Sequence, residues 1–149
     1  MDASQVELRV GCEIPLSELI GLYDSVGWKA YTVSERRPDL PRALRNSTYV
    51  VSAWYEERLI GLARALSDDV SVFYLQDLLV LPGYQGQGVG TLLLRHCLER
   101  YAHVRLHVLL TDDDERARRF YESFGFRSIR ELSETPLNAF VRVHGVELS

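Results

Sequence analysis

Four glycines fall within eight positions of "PGYQGQGVGTLLLRHC", at Gly83, Gly86, Gly88 and Gly90, and an apolar helical pattern follows at once. Glycine inside a helix or strand costs about 0.5–1 kcal/mol against alanine, so this cluster suggests a backbone that a ligand approaches closely. A helix start supplies unpaired N–H groups and the positive end of the helix dipole, which together suit an anion such as a pyrophosphate. Further along, "RRFYESFGF" sets the phenol of Tyr121 among Phe120, Phe124 and Phe126. Such a hydroxyl donates a proton or a hydrogen bond to a leaving group, or simply packs. Asp77 in "YLQDLLVL" is a lone carboxylate in an apolar run. It takes a proton, orients a cation, or satisfies a sheet edge or bulge.

Three phosphate-binding patterns compete for the glycine segment. A P-loop needs Lys and Ser/Thr after its last glycine, but Val89 and Gly90 stand there. The dinucleotide pattern G-x-G-x-x-G starts at Gly86 and Gly88 and meets Thr91 where its last glycine belongs. The pattern Q/R-x-x-G-x-G/A is matched in full by Gln85, Gly88 and Gly90.

The elements that must position these residues can be read from periodicity. VELRV reads as a first strand, and Pro15 opens a helix carried by Leu16, Leu19, Ile20 and Tyr23. A turn-rich stretch holding Trp28 and Tyr31 leads to a short helix near Leu40–Arg45. TYVVSAWY and RLIGLARAL flank "EE" as a hairpin, and VSVFYLQDLLVL is a third strand of an antiparallel meander. From Gly88 the period becomes helical, with Val89, Leu92, Leu93 and Cys97 on one face. VRLHVLL is then a strand parallel to its predecessor, because a helix separates them. "DDDERARRFYESFGF" forms another helix, acidic in its first turn and stopped by Gly125. One or two more strands are expected around Phe126–Ile129 and Ala139–Val143. The sum is an α/β chain (α+β mixed sheet) in one domain, residues 1–149.

The ordered features "LLVLPGYQGQGVG", helix, strand and "ARRFYESFGF", together spanning Thr48 to Phe126, resemble the GNAT superfamily of acyl-CoA N-acyltransferases. The look is closest to its aralkylamine-type branch. The resemblance implies a central twisted, mostly antiparallel sheet with flanking helices and two splayed parallel strands that admit coenzyme A. It implies that Gln85, Gly86, Gln87, Gly88, Val89, Gly90 and Thr91 cradle the diphosphate, while the main chain of Leu78, Leu79 and Val80 takes up pantetheine in the manner of an added strand. Asp114, Arg118 and Phe120 join the coenzyme-binding set by the same analogy, although Arg118 and Arg119 either reach a phosphate or face solvent.

For the chemistry, the resemblance places Tyr121 beside the thioester sulfur. Proton transfer from a phenol of pKa about 10 to a thiolate of about 8.5 is uphill by about 2 kcal/mol, so hydrogen-bond stabilisation matters as much as donation. Polyamine-type members carry an acidic pair where this chain has Gln76 and Asp77, and Tyr74 stands where others have a glutamate base. Asp77 is therefore the candidate base or orienting group. Trp28, Tyr31 and Phe73 are read as an aromatic wall for the acceptor, with a core role for Phe73 the alternative. The implied reaction is acetyl transfer from acetyl-CoA to a primary amine, aralkylamine, polyamine-like or other, by direct attack in a ternary complex. A catalytically degenerate CoA-binding sensor of the same fold is the other reading.

Composition narrows the field. A formal charge of −4 gives no basic surface for nucleic acid. Backbone amides can hold a diphosphate without one. His103 and His107 share a strand face at even spacing but lack companion ligands, so no metal is expected. Cys12 and Cys97 are expected to be free thiols. The N-terminal residues lack a basic stretch followed by an apolar one, and no apolar run reaches about 18 residues. These readings lead to the expectation of a cytoplasmic protein, with no membrane partner and with homodimerisation as a family habit.

Overall fold

The computed structural model describes Met1–Ser149, which divide into two compact units, Met1–Leu110 and Thr111–Ser149. In the first unit the elements are β1 (Glu7–Val10), α1 (Leu16–Ser25), α2 (Asp39–Arg45), β2 (Tyr49–Tyr55), β3 (Arg58–Ser67), β4 (Val72–Val80), α3 (Val89–Arg100) and β5 (Leu106–Leu109). The five strands lie in sequence order in one sheet. β1 to β4 pair antiparallel and β4 pairs with β5 in parallel. Short links explain the meander, and the α3 crossover explains the parallel pair.

α1 rests on β3 and β4, and α3 packs on β2, β3 and β4. The buried positions of α1 are Leu19, Leu22 and Tyr23, the i, i+3, i+4 stripe of an amphipathic helix. In α3 the buried face is Val89, Leu93, Leu94 and Cys97, with Leu92 only half-buried, so the helix is rotated slightly from the expected face. Gly61 in β3 sets how closely α3 can approach. A Cβ there would lie 3.0 Å from Leu93 Cδ1, 3.1 Å from Val89 Cγ1 and 3.0 Å from the Leu79 carbonyl oxygen. Phe73, Leu62, Ile60 and Val51 fill the centre of the core.

Two irregularities in β4 position the site. Arg64 lies opposite Asp77 while the next residue, Ala65, lies opposite Leu75, so Gln76 is the extra residue of a β-bulge. On its other side β4 pairs with β5 only from Val72 to Leu75. Residues 76–80 continue without a strand partner there, so the parallel pair opens midway along β4.

The second unit holds α4 (Glu115–Glu122), a single 3-10 turn at Ile129–Glu131 and an isolated bridge between Val143 and Val146. Asp114 caps α4 by accepting a hydrogen bond from the Arg116 amide, and Gly125 follows at φ +91. The strands expected at Phe126–Ile129 and Ala139–Val143 are absent. The tail's alternating apolar residues form no extended ladder, and Phe140 stands 91% exposed. His103 also departs from expectation. It sits in the turn before β5 with Nε2 2.7 Å from an Asp69 carboxylate oxygen, not on the strand with His107.

Candidate active site

The glycine segment begins as β4 ends. A 3-10 turn at Pro82–Tyr84 bends the chain, and Gly86 and Gly88 adopt φ of +76 and +90, a left-handed backbone that favours glycine. Gly88 is the N-cap of α3 with no side chain capping it. The amides of Gly86, Gln87, Gly88 and Val89 donate to no other main-chain group, and the first-turn amides of Gly90 and Thr91 lie in the part of a helix that lacks internal acceptors. Gly86, Gln87 and Gly88 are exposed, and a Cβ on Gly88 would meet nothing within 4 Å. The loop is braced by amide side chains: Gln85 Nε2 donates to the Val80 carbonyl at 2.9 Å and Gln87 Nε2 to the Gly83 carbonyl at 3.1 Å. Thus Gln85 of the motif holds the loop against the end of β4. The open half of β4, with Leu78 and Val80 half-buried and Leu79 buried, precedes this loop directly.

Beside the bulge lies a cleft of about 660 Å³, within the range of small-molecule sites. Its walls come from α1, α2, the loop between them, β3 and β4. Trp28 and Tyr31 line it at 41% and 43% exposure, and Gln76 and Asp77 contribute from β4. Asp77 is buried, and its Oδ2 accepts two hydrogen bonds, from the Tyr23 hydroxyl at 2.5 Å and from Arg64 Nε at 2.7 Å. Burial, then the adjacent carboxylate, push the Tyr23 phenol far above its ordinary pKa, so it stays a donor. Burial works against the Arg64 charge, but Asp77 outweighs it and the guanidinium is held more firmly protonated than usual. Asp77 thus carries a built-in cationic partner, an arrangement suited to orienting a ligand. Arg64 and Tyr23 were not expected from sequence. The signal for Arg64 was a single charge in the middle of RLIGLARAL, one hairpin away from the equally isolated Asp77.

Phe73 takes no part in the cleft wall. It is fully buried, with its ring centroid 5.0 Å from that of Tyr101 and 5.6 Å from that of His107. Within Val72–Leu75 the alternation of β4 puts it on the same buried side as Leu75, and the bulge at Gln76 then turns Asp77 and Leu79 to the other face, with Arg64 and Leu62. Tyr74 is half-buried on the opposite parity, opposite Leu66 and Val108, and does not line the cleft.

In the second unit, Tyr121 packs edge-on against Phe120 and Phe126. Burial pushes its phenol up to about 12. Phe120 also packs edge-on against Phe124. Arg118 is bound by carboxylates: Glu115 at 2.7 Å, Glu131 at a very short contact and Glu122 at 3.6 Å. A phosphate would have to displace them. Asp114 serves as the α4 cap and Arg119 pairs with Glu115 at 3.2 Å.

An open parallel strand pair leading into an uncapped, glycine-rich helix start is the architecture of one large acyltransferase family, and comparison with known proteins agrees. The pattern of the acetyltransferase (GNAT) family matches residues 15–126, and the chain belongs to that family. It is 28% identical to a solved GNAT family acetyltransferase from Streptococcus pneumoniae TIGR4, covering 93% of this chain and 99% of that one with a TM-score of 0.76. Over 136 residues it is 31% identical to histone acetyltransferase TAP1 of Glycine max, covering 83% of this chain and 57% of the relative. It is 32% identical over 127 residues to an uncharacterized N-acetyltransferase, ycf52, of Gracilaria tenuistipitata var. liui, covering 81% and 66%. The chain therefore spans between about half and two thirds of these two relatives. It contains an acetyltransferase domain of the GNAT type, with the mixed α/β fold of that family.

Proposed function

We propose that this protein transfers an acetyl group from acetyl-CoA to the primary amine of a small molecule by direct attack in a ternary complex. The observation that carries this reading is the open half of β4, residues 76–80, running straight into a loop whose amides at Gly86–Val89 are unengaged by main chain. The residues fit the co-substrate: unpaired strand groups suit the amide-bearing pantetheine, and bare amides with exposed glycines suit the diphosphate. Acetyl-CoA would supply the activated acyl carbon. The amine nitrogen bonds to that carbon as the C–S bond breaks, and the proton lost by the amine balances the one gained by the thiolate.

The chain's own part is positional. Gly86–Thr91 bind and orient the diphosphate, and Leu78–Val80 hold the pantetheine. Asp77, fixed by Arg64 and Tyr23, orients the amine while water carries its proton away. Tyr121 keeps its proton near neutral pH and serves as hydrogen-bond donor to the departing sulfur. We take the protein to act in the cytoplasm without a metal, and as a homodimer. The TAP1 name makes a histone the competing acceptor, but a concave cleft of about 660 Å³ suits a small molecule.

The test is a thermal-shift comparison of acetyl-CoA, free CoA and NAD(P), followed by thiol release across an amine panel. Stabilisation by both CoA forms with amine-dependent thiol release is expected. Stabilisation without thiol release would instead identify a CoA-binding sensor, and stabilisation by NAD(P) alone would refute coenzyme A binding.

A further inference from the structure

The charges around the cleft point to the kind of amine it takes. Four cationic side chains line it, Lys29, Arg36, Arg42 and Arg64, against two carboxylates, Asp39 and Asp77. The deep pair, Arg64 and Asp77, is internally neutral. At the rim a single carboxylate is shared by two guanidiniums: Arg36 Nε lies 3.0 Å from one Asp39 oxygen and Arg42 NH2 3.1 Å from the other. That leaves one positive charge in excess among groups exposed to solvent, with Arg36 at 52% and Arg42 at 65% side-chain exposure. Lys29 adds a further cation, offset by Asp24 at 2.8 Å. The Arg36 guanidinium also sits 5.1 Å from the centre of the Tyr31 ring, a cation–π contact at the cleft. No unneutralised carboxylate is present to attract a polycation.

Resting on the acetyltransferase reading above, we propose that the acceptor is an amine that also carries its own anionic group, a carboxylate or a phosphate, as a small amino acid or amino phosphate does. The ammonium end donates a hydrogen bond to Asp77, which is charge-paired with Arg64 but takes the bonds of Tyr23 and Arg64 only on Oδ2 and keeps Oδ1 as an acceptor. The anionic end meets Arg36 and Arg42 at the rim, where planar guanidiniums match carboxylate or phosphate oxygens two at a time. Trp28 and Tyr31 supply flat apolar surface between the ends. A plain amine lacks the second anchor, and a polyamine places a second positive charge where the rim is already positive.

Binding can be read without catalysis, because Trp28 lines the cleft while Trp54 is buried at 6% exposure. In a Trp54→Phe background, Trp28 fluorescence is titrated with L-phenylalanine, O-phosphoethanolamine, 2-phenylethylamine and spermidine, with free CoA, which has no acyl group to transfer, present. At least one of the two anionic amines should bind at least tenfold more tightly than 2-phenylethylamine and spermidine, and which of them does so identifies carboxylate or phosphate. The preference should fall to within about twofold in Arg36→Ala/Arg42→Ala and persist in Arg36→Lys/Arg42→Lys to a reduced degree. Equal or tighter binding of 2-phenylethylamine or spermidine, or a preference untouched by removing both arginines, overturns the proposal. If acetyl-CoA binds and plain amines are acetylated without discrimination, the acetyltransferase reading stands and only this inference falls. If acetyl-CoA does not bind, both fall.

Discussion

Arg64 and Asp77 face each other across β3 and β4, with Nε 2.7 Å from Oδ2 and side-chain exposures of 13% and 6%. Breaking a pair this deep strands a charge, which costs about 3–5 kcal/mol, whereas replacing both members by apolar residues of similar volume is often close to neutral. Arg64→Ala should therefore lower the urea unfolding free energy by about 3 kcal/mol, and Arg64→Met/Asp77→Leu by clearly less. A loss under about 1 kcal/mol for Arg64→Ala would show that water screens the pair. In the acceptor assay, Asp77→Asn should raise KM more than it lowers kcat, as befits an orienting group. A collapse of kcat at unchanged KM would instead make Asp77 the base.

The glycine loop separates folding from binding. At Gly88 there is space for a Cβ but φ is +90, so Gly88→Ala should cost about 1–2 kcal/mol of stability from backbone conformation alone. The same methyl group projects from the proposed diphosphate cradle. Acetyl-CoA affinity, measured calorimetrically, should fall by at least about tenfold. Unchanged affinity would remove this loop from the coenzyme site.

Tyr121→Phe should lower turnover by roughly ten- to a thousand-fold while leaving acetyl-CoA affinity nearly intact. Burial holds the phenol at about 12, so it is protonated throughout the working range. The pH profile of kcat should consequently show no limb from this residue below about pH 10. Full activity of the phenylalanine variant would exclude the hydroxyl from the reaction.

Cys97 ties stability to alkaline pH. It is buried on α3, and burial alone pushes its thiol from 9.0 to about 12. The folded state therefore favours the protonated form. Its contribution is complete below about pH 9 and is lost as pH rises from 9 towards 12, a change of roughly 4 kcal/mol at most. Tyr23 and Tyr121 shift in the same sense, so the decisive comparison is with Cys97→Ala. That variant should start less stable at pH 7 and fall less steeply between pH 9 and 11. Parallel slopes would show that the thiol does not titrate differently in the two states.

What could be read from the chain divides by distance along it. The glycine loop, α3 and the acidic start and glycine stop of α4 are local, written in neighbouring residues, and their positions match the expectation closely. The strand order followed from short links plus one helical crossover. The Arg64–Asp77–Tyr23 cluster was not legible, because it depends on a one-residue bulge at Gln76 and on α1 lying over β4, neither of which has a local signature. Phe73 was ambiguous for a related reason. An aromatic residue in an alternating strand looks the same whether its face is covered by core or by ligand. The tail misled because apolar alternation such as "AFVRV" makes a strand only where its apolar face is covered, and here Phe140, Val141 and Val143 stay exposed.

The half of β4 beyond Leu75 carries one further implication. Unpaired strand backbone is a template on which any extended chain can add itself, and proteins normally conceal or blunt it. On the function proposed above, that concealment falls to the coenzyme. Preparations depleted of coenzyme should be the ones that self-associate, and those amide protons of residues 76–80 that point away from β3 should exchange slowly only when it is supplied.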